Sequence, residues 1–103
     1  MQTIPVSLGE RSYDITVDPG VSEALGDRLR DLSKSERVGI VTDRHVAQHY
    51  LQRTVRSLKR AGFEAVPIVL PPGERSKTLS TIARILDVLA KHRFERRSML
   101  IAL

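Results

Sequence analysis

Two short stretches of the 103-residue chain combine side chains able to hold a nucleotide. The first is Asp43, with His45 two positions on. The second is Pro72-Gly73-Glu74, with Lys77 three positions past the glutamate. An acidic side chain just beyond a strand can accept hydrogen bonds from ribose hydroxyls, and a lysine at a helix start can pair with phosphate or ribose oxygens. Gly73 would let the backbone come close to a ligand, and the spacing to Glu74 and Lys77 would aim both charges into one cleft. A plainer account fits the same residues: Pro-Pro-Gly-Glu is an ordinary turn, Ser76 an ordinary helix cap and Lys77 a solvated charge. Pattern alone leaves both accounts open.

These residues need a frame to bring them together, and the apolar spacing supplies one. Thr3 to Leu8 and Ser12 to Val17 read as a hairpin turning at Gly9, Glu10 and Arg11, with Tyr13, Ile15 and Val17 alternating with polar neighbours. Val21, Leu25, Leu29 and Leu32 predict a helix over 21–32. Arg37 to Thr42 is a short apolar run of the kind covered on both faces, ended by Asp43. From His45 to Arg60 the stripe Val46, Tyr50, Leu51, Val55 and Leu58 predicts a second helix, stopped at Gly62. Ala65 to Leu70 predicts the next strand. Leu79, Ile82, Ile85, Leu86 and Leu89 mark a third helix, starting near Ser76 or Lys77 and fading around His92. Ser98 to Leu103 reads as a third buried strand. Strands alternating with helices of this length predict an α/β fold: a Rossmann-like parallel sheet with flanking helices, reached by right-handed crossovers, and an N-terminal β-hairpin. Asp43 and the loop from Pro71 to Lys77 then share the rim at the carboxyl ends of the strands, where open parallel sheets bind ligands.

Other candidates are weaker. His45 and His49 are four apart, a metal-ligand spacing on a helix when an acidic third ligand is near. No HExxH-like context accompanies them, and they read as surface residues. Arg53, Arg56 and Arg60 form a basic stripe on the second helix. With 4% aromatic residues and no nucleic-acid module, that stripe reads as a solvated face and no nucleic-acid partner is expected. The net charge of +5 suits small anionic ligands as well as polyanions. The chain has no cysteine, which excludes disulfides and thiolate metal clusters, and the cytoplasm is the expected compartment. The N-terminus lacks the features of a signal peptide, and no segment approaches the roughly 20 apolar residues of a membrane span.

Read in order, four segments resemble the 3-dehydroquinate synthase family, one of the sugar-phosphate cyclases. They are Val6-Ser7-Leu8-Gly9-Glu10-Arg11-Ser12-Tyr13, Ile40-Val41-Thr42-Asp43-Arg44-His45-Val46-Ala47, Leu70-Pro71-Pro72-Gly73-Glu74-Arg75-Ser76-Lys77-Thr78 and Ser98-Met99-Leu100-Ile101-Ala102-Leu103. The match spans essentially the whole chain, and the Gly-Glu-x-x-Lys loop between strand and helix is its most specific part.

The resemblance implies a lyase of the shikimate pathway, which leads to chorismate and the aromatic amino acids. It would convert a phosphorylated seven-carbon sugar acid, 3-deoxy-arabino-heptulosonate 7-phosphate, into 3-dehydroquinate and phosphate. The family uses NAD catalytically, oxidising a hydroxyl and later reducing the ketone again, with a divalent metal, zinc or cobalt, polarising the reacting oxygens. By the same resemblance Gly73, Glu74 and Lys77 match the NAD-contacting loop, and Asp43 the acidic residue of the first rim turn. His45 stands where asparagine is common, leaving an imidazole contact as the weaker substitute. Pro72 stands where aspartate is frequent, which removes an acceptor and a backbone donor.

In the family the last strand runs into a Gly-Gly-Gly-Val-type loop that cradles the pyrophosphate. The expectation is therefore that residues 1–103 form an incomplete N-terminal NAD-binding domain, lacking the helical C-terminal domain that holds metal and substrate. No catalytic residue and no metal ligand is assigned to this chain, which alone should be inactive; the complete protein is expected to be a homodimer. Two alternatives remain at this point: another sugar-phosphate cyclase, and a non-catalytic nucleotide-binding or interaction domain.

Overall fold

In the computed structural model, which describes residues 2–17, 21–73, 78–95 and 98–103, the alternating segment becomes β2 (Tyr13–Val17), paired antiparallel with β1 (Gln2–Val6). A single 3-10 turn, Gly9–Arg11, joins them. Gly9 takes φ +64, and the Ser12 hydroxyl closes the turn by donating to the Gly9 carbonyl while accepting the Leu8 N–H. Ile4, Tyr13, Ile15 and Val17 of this ribbon are all exposed.

The sheet follows from β3 (Arg37–Asp43), whose Val38 and Ile40 are 0% exposed. β3 pairs in parallel with β4 (Glu64–Leu70) on one side and with β5 (Met99–Ala102) on the other, giving the order β4-β3-β5. Side chains alternate across the sheet. Val38 and Ile40 therefore point to one face, where they meet Leu58 and Phe63, with Ala65, Met99, Ile101 and Leu103 packed around them. Gly39 points to the other face, towards Leu89, Phe94 and Leu100. Pro67 lies in β4, whose only partner among the described residues is β3; a residue without an N–H is tolerated on such an edge.

The helix after β3 runs from Arg44 to Arg60 in three parts: α2 (Arg44–Val46), a π-helical turn (Ala47–Leu51) and α3 (Gln52–Arg60). This turn corrects the expected stripe. An ordinary helix would put Tyr50 on the buried side with Val46, but the wider π turn takes a five-residue step from Val46 to Leu51, and then Val55 and Leu58 follow in normal phase. Tyr50 is left 46% exposed. Thr54, fully buried, spends its hydroxyl on the Tyr50 carbonyl at 2.9 Å. The helix stops at Gly62, which takes φ +91. There the Gly62 N–H bonds to the Lys59 carbonyl and the Phe63 N–H to that of Leu58, and the buried Leu58 and Phe63 supply the apolar half of the motif.

α1 (Val21–Leu32) lies against α3 with almost no space between the backbones. A Cβ on Gly26 would sit 2.1 Å from the Ser57 carbonyl oxygen. Ser57 clamps the crossing: its hydroxyl accepts the Gly26 N–H at 2.9 Å and donates to the Glu23 carbonyl at 2.8 Å. Further along, Arg30 donates to the Ala61, Ser33 and Ser35 carbonyls and lays its guanidinium 3.7 Å from the Phe63 ring centre. One side chain thus caps α1 and α3 together.

The third helix, α4 (Leu79–Lys91), begins later than the sequence suggests. Its N-cap is Thr78, in extended conformation, with the hydroxyl accepting the Thr81 N–H at 3.2 Å; Ser76 lies outside the described residues. At the other end Arg93 takes φ 58 where glycine usually stands, with the Phe94 N–H bonded to the Leu89 carbonyl. No residue of α4 is buried, and Leu79 is 86% exposed. β5 also departs from the buried strand expected, alternating half-buried and exposed, because among the described residues only β3 flanks it and α4 covers it incompletely.

Two substitutions test this packing by chemical denaturation. Gly26→Ala should cost about 2 to 3 kcal/mol, since a backbone carbonyl cannot rotate away from the new methyl. Arg93→Gly should stabilise by roughly 1 kcal/mol by removing the left-handed penalty of a residue with a Cβ.

Candidate functional site

The order β4-β3-β5 sends successive connections to opposite sides of the central strand. A crevice therefore opens beyond the carboxyl end of β3, at the switch point where parallel sheets place ligands. Asp43 is the last residue of β3 and also the N-cap of α2: its Oδ1 accepts the Val46 N–H at 2.9 Å. The carboxylate is half-buried, complements the positive end of the helix, and keeps its second oxygen for another donor.

Leu70 stands directly opposite Asp43 in the register of β3 and β4, so Pro72 and Gly73 follow within three residues of that pairing. Pro72 is half-buried and Gly73 exposed. Gly73 takes φ +96, and a Cβ there would meet no atom within 4 Å. Backbone conformation, rather than crowding, calls for glycine, and the space beside it is open to a ligand. On the other flank the Leu103 N–H bonds to the Val41 carbonyl at 3.0 Å, bringing the end of β5 beside the same rim. His45 is exposed in the first helical turn. Glu74 and Lys77 lie outside the described residues.

The structure thus brings together Asp43, His45, Pro72 and Gly73. Sequence reasoning took Asp43 as a strand terminator and ligand contact but missed its capping role. The signal was legible: an aspartate followed at the third position by a helical N–H is a standard helix start, as is Thr78 before Thr81. Among the described residues no three His, Asp or Glu side chains gather to hold a metal ion, and no helix is long and apolar enough to cross a membrane.

A broad concavity at the opposite end of the sheet, lined by residues including Lys34, Glu36, Arg37, Arg93 and Glu95, has a structural explanation. α1 and α4 end there, and basic residues near helix C-termini balance the partial negative charge of the last carbonyls.

No protein-family model matches the chain. Individual proteins do. It is 45% identical, over all of its 103 residues, to the 3-dehydroquinate synthase of Gloeobacter violaceus, and 40% identical over 101 residues to that of Brucella ovis. The chain spans only 28% and 27% of the length of these relatives. A crystal structure of 2-deoxy-scyllo-inosose synthase, complexed with carbaglucose-6-phosphate, NAD+ and Co2+, superposes with a TM-score of 0.79 at 17% identity, covering 96% of this chain and 27% of that one. By fold, then, the chain is an α/β domain of the kind found in sugar-phosphate cyclases. By sequence it is homologous, over its whole length, to part of the 3-dehydroquinate synthases.

The two jobs of Asp43 can be separated. Asp43→Asn retains the capping oxygen and should change stability by only a few tenths of a kcal/mol, whereas Asp43→Ala should lose about 1 kcal/mol, read from paired thermal or urea melts.

Proposed function

We propose that this chain is the NAD-binding portion of a 3-dehydroquinate synthase. The observation that carries the reading is the 45% identity over the full chain to an enzyme of that name, far above the 17% shared with the structurally similar cyclase. Asp43 supports it, standing at the switch point with one carboxylate oxygen still available. NAD, when bound, supplies reversible hydride transfer. The chain's own contribution is to bind and orient it. Asp43 accepts from ribose hydroxyls, the turn at Pro72 and Gly73 lets the dinucleotide approach the backbone, and Glu74 and Lys77 add charge-assisted hydrogen bonds. His45 contributes one further hydrogen bond from its imidazole.

In this reading the divalent metal, zinc or cobalt, and the phosphorylated sugar acid are held by residues outside this chain. The remainder of the protein, in a cytoplasmic homodimer, covers the exposed Leu79, Ile82, Leu86 and Leu100.

The test is a chimera in which residues 1–103 replace the matching stretch of the Gloeobacter violaceus relative, assayed for phosphate release from 3-deoxy-arabino-heptulosonate 7-phosphate. NAD-dependent turnover is expected from the chimera and none from the 103-residue chain alone. A folded but inactive chimera would reject the assignment. Within the active chimera, Glu74→Ala, Lys77→Ala and Asp43→Asn should each raise the NAD concentration for half-maximal rate roughly tenfold to a hundredfold, for a loss of about 1.5 to 3 kcal/mol. An unchanged NAD requirement would return those residues to the role of ordinary turn and cap.

A further inference from the structure

The outward side of the α1–α3 layer carries two stripes of opposite charge for which the rim has no use. On α1, Glu23, Asp27 and Asp31 recur every four residues, and all three are exposed. On α3, Arg53, Arg56 and Arg60 are likewise exposed, with Lys59 beside them, and the helix from Arg44 to Arg60 contains no acidic residue. None of these six stripe residues forms an ion pair among the described residues, where the one such pair is Arg37 with Glu64. Yet Glu23, Asp27 and Arg60 border a common cleft with Ser57 at its floor.

The geometry of the stripes is self-complementary. Ser57 touches Glu23 and Gly26 while Ala61 accepts from Arg30, so the two helices run side by side in the same direction. At 1.5 Å of rise per residue, the acidic stripe is about 12 Å long and the basic one about 10.5 Å. A second copy, rotated by 180° about an axis lying along and between the two helices, lays its α1 over α3 and its α3 over α1. The residue heights set by the Gly26–Ser57 contact then bring Glu23 opposite Arg53, Asp27 opposite Arg56 and Asp31 opposite Arg60, and the symmetry makes each pairing twice.

We propose that this face is an interface between two copies of the chain, held by reciprocal pairing of the α1 acidic stripe with the α3 basic stripe. The inference stands apart from the nucleotide site. Exposed ion pairs are individually weak and screened by salt, so the association is modest and salt-sensitive.

Sedimentation velocity of the 103-residue chain over a concentration series is the measurement. The dimer should dissociate with a constant roughly tenfold larger in about 0.5 M than in about 0.05 M salt. R53E/R56E and E23K/D27K should each be monomeric in low salt, and an equimolar mixture of the two should associate again, because one then presents an all-acidic face and the other an all-basic one. R53Q/R56Q, which removes charge without reversing it, checks the same face should a reversal variant fail to fold. A monomer at every salt concentration overturns the proposal. So does association that strengthens with salt or survives the reversals, which would assign it to apolar surface such as Leu79, Leu86 and Leu100. Assembly seen only on adding a DNA oligonucleotide would overturn it too, making the basic stripe a polyanion site.

Discussion

The contact between Gly26 and Ser57 decides where half of this fold stands. α1 touches the main core chiefly through Leu29, so its seat is inherited from α3. It reaches α3 only because position 26 has no Cβ to strike the Ser57 carbonyl. Such close approach buries polar backbone, which costs free energy unless it is satisfied. A single hydroxyl meets that demand by accepting from one turn of α1 and donating to the preceding one. Arg30 then ties the ends of the two helices to the turn that launches β4.

Gly39 does for the second face of the sheet what Gly26 does for the first. On β3, Val38 and Ile40 fill the side towards α3, while on the opposite side a missing Cβ leaves room for Leu100, Phe94 and Leu89. A two-faced strand needs such asymmetry because the two layers differ in depth: α3 packs with fully buried residues, and α4 has none. The finished α3 face holds the rim firmly. The partly covered α4 face is the side on which further chain or a partner finds apolar surface.

At the rim, structure and chemistry share the same atoms. Asp43 ends the central strand, caps the helix that follows and still has one oxygen to offer. The capping bond restricts the carboxylate, so a ligand meeting the other oxygen pays little of the ordering entropy a free side chain would lose. The register of β3 and β4 then sets Leu70 beside Asp43, which delivers Gly73 and its left-handed turn to the same place.

Much of this was legible in the residues. Apolar periodicity located every helix and strand of the described chain, Gly62 marked a helix stop, and the spacing of Asp43 and Pro72-Gly73 marked one rim, since local propensity and local patterning are properties of short segments. Tertiary structure alone decided the rest. Tyr50 left the buried stripe because α3 had to enter the sheet in a phase that only a π turn provides. The helix began at Thr78 because its hydroxyl could reach the Thr81 N–H. Gly26 and Gly39, unremarkable as letters, became the points of closest approach because which backbones meet depends on the sheet order and the helix crossing. Those are relations between residues such as 26 and 57 that no short window of sequence contains.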